Sequence, residues 1–249
     1  MRQWVAPSSG RRMVADLSWA SLRVPRCIMT ARLHVPRAMT ARAALPQPRP
    51  PWPAIFAKAF ALAAEARPTL RQFHATLPWP RLLRLDHAIG CVLVEREHAG
   101  EATLTLARFV EPHAMALAGL STLLMAAKNG PPDAQKTFRR MLRFTRLPWP
   151  LRRLMLRLGL AFAAPLARYA GSFGVSALGG AGATIIDSVS ILPVFISYGP
   201  IGADGAVNVY VVFDHRVMDG ADGAAALAGI EAMIEGPVAD ELLAMPSSP

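Results

Sequence analysis

The chain has 249 residues, of which 53% are hydrophobic and 18% charged; that is enough apolar surface for one large packed domain or two small ones, and it excludes disorder throughout. Its two cysteines, Cys27 and Cys91, have neither zinc nor redox spacing and make no disulfide framework, which points to a reducing compartment and most simply to the cytoplasm. No stretch approaches the ~18 uncharged apolar residues that span a bilayer. Leu158 to Ala167 comes nearest, and the basic start Met1 to Arg12 is followed by no secretory apolar run before Arg23 and Arg26, so a soluble or membrane-peripheral protein is expected.

The net charge of +10 is unevenly placed. Residues 1–50 carry nine arginines and one acid, Asp16. Residues 134–186 carry nine basic residues, Lys136, Arg139, Arg140, Arg143, Arg146, Arg152, Arg153, Arg157 and Arg168, and no acid. Such segregation suggests a basic face that meets an anionic partner: the phosphates of coenzyme A, a membrane surface or nucleic acid. A solvated arginine-rich surface accounts for the same charges without a partner. Against nucleic acid stand the lack of a recognised binding motif and the few aromatic residues interleaved with the basic ones beyond Phe138 and Phe144.

In chain order, residues 1–20 read as a poorly ordered arm. Cys27 to Val35 alternates as a first strand. The proline-rich run Leu45 to Pro53 is neither helix nor central strand, because proline fixes φ and removes a backbone donor. It is read as a loop within the domain. The helix after it, Ala54 to Ala66, sets Ile55, Phe56, Ala59, Phe60 and Ala63 on one face that needs a sheet to cover. A helix over 112–130 carries Met115, Leu117, Leu120, Leu123 and Leu124 and stops at Lys128-Asn129-Gly130-Pro131. Two basic amphipathic helices follow, split by Pro148-Trp149-Pro150. Phe138, Met141, Leu142 and Thr145 share a face in the first, and Leu151, Leu154, Met155, Leu158 and Phe162 in the second. His34, His74, His98 and His113 show no constellation. Asp86, His87 and Cys91 lack a second pair at zinc spacing, so no metal is expected.

The glycine-rich stretch 171–182 has no Lys-Ser/Thr after its glycines and no clear GxGxxG register, so it is not a phosphate loop. Ile191 to Tyr198 reads as a strand, Gly199 to Gly205 as a hairpin turn, and Val207 to Phe213, β-branched and aromatic, as a buried strand. Behind Asp222 as N-cap, Ala224 to Ile234 repeats Leu227, Ile230 and Ile234 at helical spacing. Between that strand and helix lies Asp214-His215-Arg216-Val217-Met218-Asp219-Gly220, which sets an imidazole on a strand-to-helix turn. Loops held by a rigid scaffold are where catalytic side chains concentrate, and an imidazole with an ordinary pKa of ~6.5 moves protons near neutral pH.

This segment resembles the HxxxDG signature, in its DHRxxDG form, of the catalytic domain of dihydrolipoyl acyltransferases of 2-oxo acid dehydrogenase complexes, a fold shared with chloramphenicol acetyltransferase. The resemblance implies one α/β domain, a mixed β-sheet flanked by helices, over residues 21–236 with a flexible tail at 237–249. It implies His215 as the general base toward a thiol or hydroxyl and Asp219 as a brace of the site. Ser176-Ala177-Leu178-Gly179, with Gly182, resembles the family's SxLGxxG strand-turn, which implies Ser176 as the hydroxyl that stabilises a tetrahedral oxyanion. Lys58 to Leu70 and His87 to Val94 resemble the family's helix ending at a proline and its next strand. The implied reaction moves an acyl group between a coenzyme A thioester, as substrate, and a thiol or hydroxyl acceptor. The implied assembly is a homotrimer with sites between subunits. The sequence departs from complex-forming members, with no GLVVPV-like strand, no lipoyl attachment site and no recognisable lipoyl or subunit-binding domain before residue 20, so a stand-alone enzyme is expected. The alternative is a non-catalytic peripheral membrane or anionic-ligand binding protein that keeps the fold.

Overall fold

The computed structural model describes residues 3–98, 100–131, 134–177 and 182–246. Along them run α1 (Ser9–Ser21), β1 (Arg26–His34), α2 (Pro36–Ala43), α3 (Trp52–Ala66), β2 (Gln72–Ala75), β3 (Arg81–Arg84), β4 (Ile89–His98), β5 (Glu101–Val110), α4 (Leu117–Asn129), α5 (Lys136–Arg146), α6 (Trp149–Phe162), α7 (Ala164–Ala170), β6 (Phe173–Ala177), β7 (Val194–Tyr198), β8 (Ala206–Asp214), α8 (Gly220–Met233) and α9 (Ala239–Ala244). Six strands form one sheet in the order β1-β8-β7-β6-β4-β5, and β2 pairs with β3 alone. The β4–β6 and β6–β7 pairs are parallel and the others antiparallel, so the large sheet is mixed.

Central position and composition agree. Every residue of β7, Val194 to Tyr198, is buried, as its place between two neighbours and beneath covering helices requires. The helix predicted after the prolines is α3, and its face does cover the sheet: Phe60 packs 4.6 Å from Phe173, and Phe56 stacks on Tyr198 at 3.9 Å. Burial pushes the Tyr198 phenol well above its ordinary pKa, so it stays neutral. Small residues let α8 lie against α3, and a Cβ on Gly229 would sit 3.0 Å from that of Ala63. Gly171, at φ +93°, turns the chain from α7 into β6, where a Cβ would come within 2.6 Å of the Ile89 carbonyl oxygen; only glycine allows that approach.

Helices occupy part of both expected loose ends. Much of the supposed arm is helix α1, capped by Ser8, whose hydroxyl accepts from Arg11 N at 3.3 Å. Its buried Asp16 is ion-paired with Arg152, itself buried, in α6. The helix escapes a periodicity search because it buries a carboxylate rather than a continuous apolar stripe. Much of the supposed tail is α9, held by Glu241, whose carboxylate pairs with buried Lys58 and accepts from Leu117 N. The helix expected from residue 112 begins at Leu117, because Glu111 takes a positive φ of 50° and the chain turns first. In α6 the apolar residues do share a face, but Leu151, Leu154, Met155, Leu158 and Phe162 point to solvent while Arg152 and Gly159 are buried. Among the described residues no helix is long and apolar enough to cross a membrane.

Candidate active site

Between β8 and α8 the chain makes a turn stapled by its own side chains. The Asp214 carboxylate, 5% exposed, accepts from Arg216 Nε at 2.9 Å, Arg216 Nη2 at 2.7 Å and Arg216 N at 3.0 Å. A two-point guanidinium–carboxylate pair fixes orientation as well as charge. His215 N donates to the Pro25 carbonyl at 2.9 Å, which ties the turn to the residue before β1.

The imidazole of His215 is exposed, with the Phe213 ring edge-on at 6.0 Å. Its Nδ1 lies 2.9 Å from the Met218 carbonyl oxygen. A carbonyl only accepts, so Nδ1 carries the hydrogen and Nε2 is left with its lone pair outward, the tautomer a general base needs. Asp219 does not touch this ring. It is the N-cap of α8: its Oδ1 accepts from Asp222 N at 3.0 Å, and Asp222 Oδ2 accepts from Asp219 N at 3.4 Å. The cap expected at Asp222 is therefore Asp219, with Asp222 as the return half of a capping box. Thr69 Oγ1 at 2.9 Å and Arg67 Nη1 at 3.3 Å hold Asp222 Oδ1 in turn. Asp219 thus fixes the start of α8, and with it the preceding Met218 carbonyl that orients His215.

Ser176 lies away from this turn, two strands over and level with the middle of β8. In β6 it is 8% exposed. Its register partner in β7 is Ser197, which pairs with Tyr210 in β8. Asp214, by contrast, receives its backbone bond at Pro193, before β7 begins. From Tyr210 to His215 the chain advances about 16–17 Å at ~3.3 Å per residue, and β6 is a further two strand spacings, about 10 Å, to the side. One chain brings His215 and Asp219 together and leaves Ser176 apart. Leu178 and Gly179 of the serine motif lie outside the described residues.

Two features beside the turn were not among the expected site residues. The Asp214–Arg216 staple was within reach, since both residues belong to the DHR triplet. His74, in β2, was not, because only the tertiary fold brings it to Asp214 and Arg216. These three, with Phe73, Leu160 and Pro193, line a cavity of about 10 Å³, at the lower limit for one water. Burial first, and the Arg216 guanidinium second, hold the His74 imidazole below its ordinary pKa. A wider apolar groove of about 420 Å³ is lined by Pro36, Arg37, Thr40, Ala41, Ala44 and Leu243. It lies at the His34–Ala206 end of the β1–β8 pair, away from Asp214. Neither cavity includes His215.

The strand order, the flanking helices and the histidine turn define a chloramphenicol acetyltransferase-like α/β fold, as expected. Neither a protein-family model nor a curated protein matches the sequence. Solved structures match over nearly the whole chain. The dihydrolipoamide acetyltransferase of Azotobacter vinelandii, solved in work on the role of a serine, a histidine and an asparagine in its catalytic mechanism, is 16% identical with a TM-score of 0.66, covering 98% of this chain and 95% of that one. The cubic core of a pyruvate dehydrogenase multienzyme complex is 15% identical with a TM-score of 0.61, covering 98% and 95%. Chloramphenicol acetyltransferase is 14% identical with a TM-score of 0.54, covering 94% and 100%. At such identities the likeness is one of fold.

Proposed function

We propose that this protein is an acyltransferase that moves an acyl group from a coenzyme A thioester to a thiol or hydroxyl acceptor. The observation that carries this reading is the His215 Nδ1 to Met218 carbonyl hydrogen bond on a turn stapled by Asp214 and Arg216, which presents Nε2 as a base. In the proposed step Nε2 takes the proton of the acceptor as its sulfur or oxygen attacks the thioester carbonyl. The carbon–sulfur bond then breaks, and the coenzyme A thiolate leaves with that proton. Ser176 donates a hydrogen bond to the carbonyl oxygen while it carries negative charge. Asp219 positions the turn and takes no proton.

The separation of Ser176 and His215 within one chain, and the exposure of His215, support a site built between subunits of a homotrimer, the histidine of one facing the serine of the next. Ser176→Ala is expected to lower kcat by about two to three orders of magnitude with little change in KM, as for a donor used in the transition state. Mixing dissociated and reassembled Ser176→Ala and His215→Ala subunits is then expected to restore activity at about a quarter of the sites, because random closure of a ring brings an intact serine to an intact histidine with that frequency. Light scattering that finds an active monomer, or mixtures as inactive as their parents, would remove the shared site.

A second reading, contact with a membrane surface, is favoured by the outward apolar face of α6 and by the exposed Arg139, Arg140 and Arg143 of α5, the helix before it in the chain. Interfacial helices combine such features. Anionic liposomes are expected to co-float wild-type protein and to release an Arg139/Arg140/Arg143→Glu variant that keeps its affinity for coenzyme A. If the variant loses coenzyme A instead, the arginines serve the substrate; if neither changes, they are a solvated face.

A further inference from the structure

Glu65, His87 and His113 belong to three separate segments: the last turn of α3, the turn before β4 and the turn after β5. The β4–β5 register sets Ile89 against Val110, so both histidines leave the same end of the hairpin, where α3 also ends. Their ligating atoms all lie within 4.8 Å of one another. His87 Nδ1 is 3.0 Å from Glu65 Oε2, His113 Nδ1 is 3.7 Å from Glu65 Oε1, and the two rings stand 4.9 Å apart. The sequence expectation that His113 joins no constellation is thereby corrected, and no local spacing could have revealed it.

Two buried atoms of the cluster, Glu65 Oε1 and His113 Nδ1, make no hydrogen bond among the described residues, a costly state for polar atoms unless something joins them. The Arg71 guanidinium comes within 3.3 Å of Glu65 Oε1. Its hydrogen bonds, however, go to the carbonyls of Ala64 at 2.7 Å, Leu85 at 2.9 Å and Glu65 at 3.4 Å.

We propose that Glu65, His87 and His113 form a binding site for a divalent transition-metal ion of the zinc class. Two imidazoles and one carboxylate are a donor set that zinc takes in a four-coordinate site, with water in the remaining position. Magnesium and calcium favour all-oxygen sets and fit poorly. Zinc–ligand bonds of about 2.0–2.2 Å place the donors of a tetrahedral site about 3.3 Å apart. The widest donor spacing therefore closes by up to about 1.5 Å on binding, a movement open to His87, which is 45% exposed on its turn. The ion ties the end of α3 to the β4–β5 hairpin. Through Arg67 and Thr69, which follow Glu65 and hold Asp222, it also steadies the start of α8. The site stands whether or not the protein transfers acyl groups.

The test is titration of the untagged, chelator-treated full chain with Zn²⁺ by calorimetry, with Co²⁺ as a spectroscopic probe and Mg²⁺ as control. One Zn²⁺ per chain, a rise in melting temperature with zinc but not magnesium, and visible four-coordinate Co²⁺ bands are expected. His87→Ala and His113→Ala are each expected to weaken binding by at least about 10–100-fold, the cost typical of losing even an outer-shell partner. His87→Ala removes a half-exposed ring, so an unchanged melting temperature without metal separates lost ligation from lost folding. No stoichiometric Zn²⁺ binding by the wild type, or equal binding by the His87→Ala/His113→Ala double variant, overturns the site.

Discussion

Replacing His215 by alanine is expected to lower kcat/KM for acyl transfer by about 10³-fold, the middle of the range for loss of a positioned general base. The fold should survive. The ring is exposed and its hydrogen bond goes to the Met218 carbonyl, so its loss costs about 1 kcal/mol of stability or less. What holds the turn, the Asp214–Arg216 pair and the His215 N bond to Pro25, does not involve the imidazole. Added free imidazole should recover part of the rate if the ring moves a proton, and none if it only fills space. Full turnover by the alanine variant with a verified acceptor would remove the base from the mechanism.

The largest loss of stability is expected far from that turn, at Asp16→Ala. Asp16 and Arg152 have side chains 4% and 9% exposed, and Arg153 reaches the second carboxylate oxygen at 3.9 Å. Removing the carboxylate leaves the Arg152 guanidinium buried with the Leu147 carbonyl as its remaining partner. Breaking a buried pair from one side costs about 3–5 kcal/mol, because an uncompensated charge stays behind. For a chain of this size that lowers the melting temperature by about 10 °C. Asp16→Leu combined with Arg152→Met should recover most of the loss, since an apolar pair of similar volume needs no counterion. Calorimetry that finds Asp16→Ala within a degree of wild type would mean that α1 is not docked through this pair.

The elements legible in the sequence are those whose burial is apolar and local. β8 announces itself by its β-branched run and α3 by Ile55, Phe56 and Phe60 on one face behind a proline stop. The histidine turn sits between two such elements, so its setting could be read along with its seven residues. α1 was missed because Asp16, Ala20 and Ser21 are what it buries, and α9 because a carboxylate to Lys58 anchors it. β5 drew no expectation, and it buries Thr103 and Thr105 where an apolar pattern would be sought. Periodicity identified the shared leucine face of α6, but periodicity says which residues lie together, not which way they face. The distance between Ser176 and His215 depends on strand register, and the meeting of Glu65, His87 and His113 on topology. Neither is a local property.

The pairing of β1 with β8, Arg26 against Asp214 through His34 against Ala206, carries a consequence for how the molecule forms. The two strands are neighbours in space and nearly the whole chain apart in sequence, and β4 waits for β6 across the crossover that holds α4 to α7. Contacts of such separation make a slow folder, because loop closure must precede the reward of pairing. During synthesis β1 stands with an unpaired edge until β8 has emerged, exposed to strand addition from other chains. The turn bearing His215 leans on Pro25 at that same seam, so it takes shape only once the seam has closed.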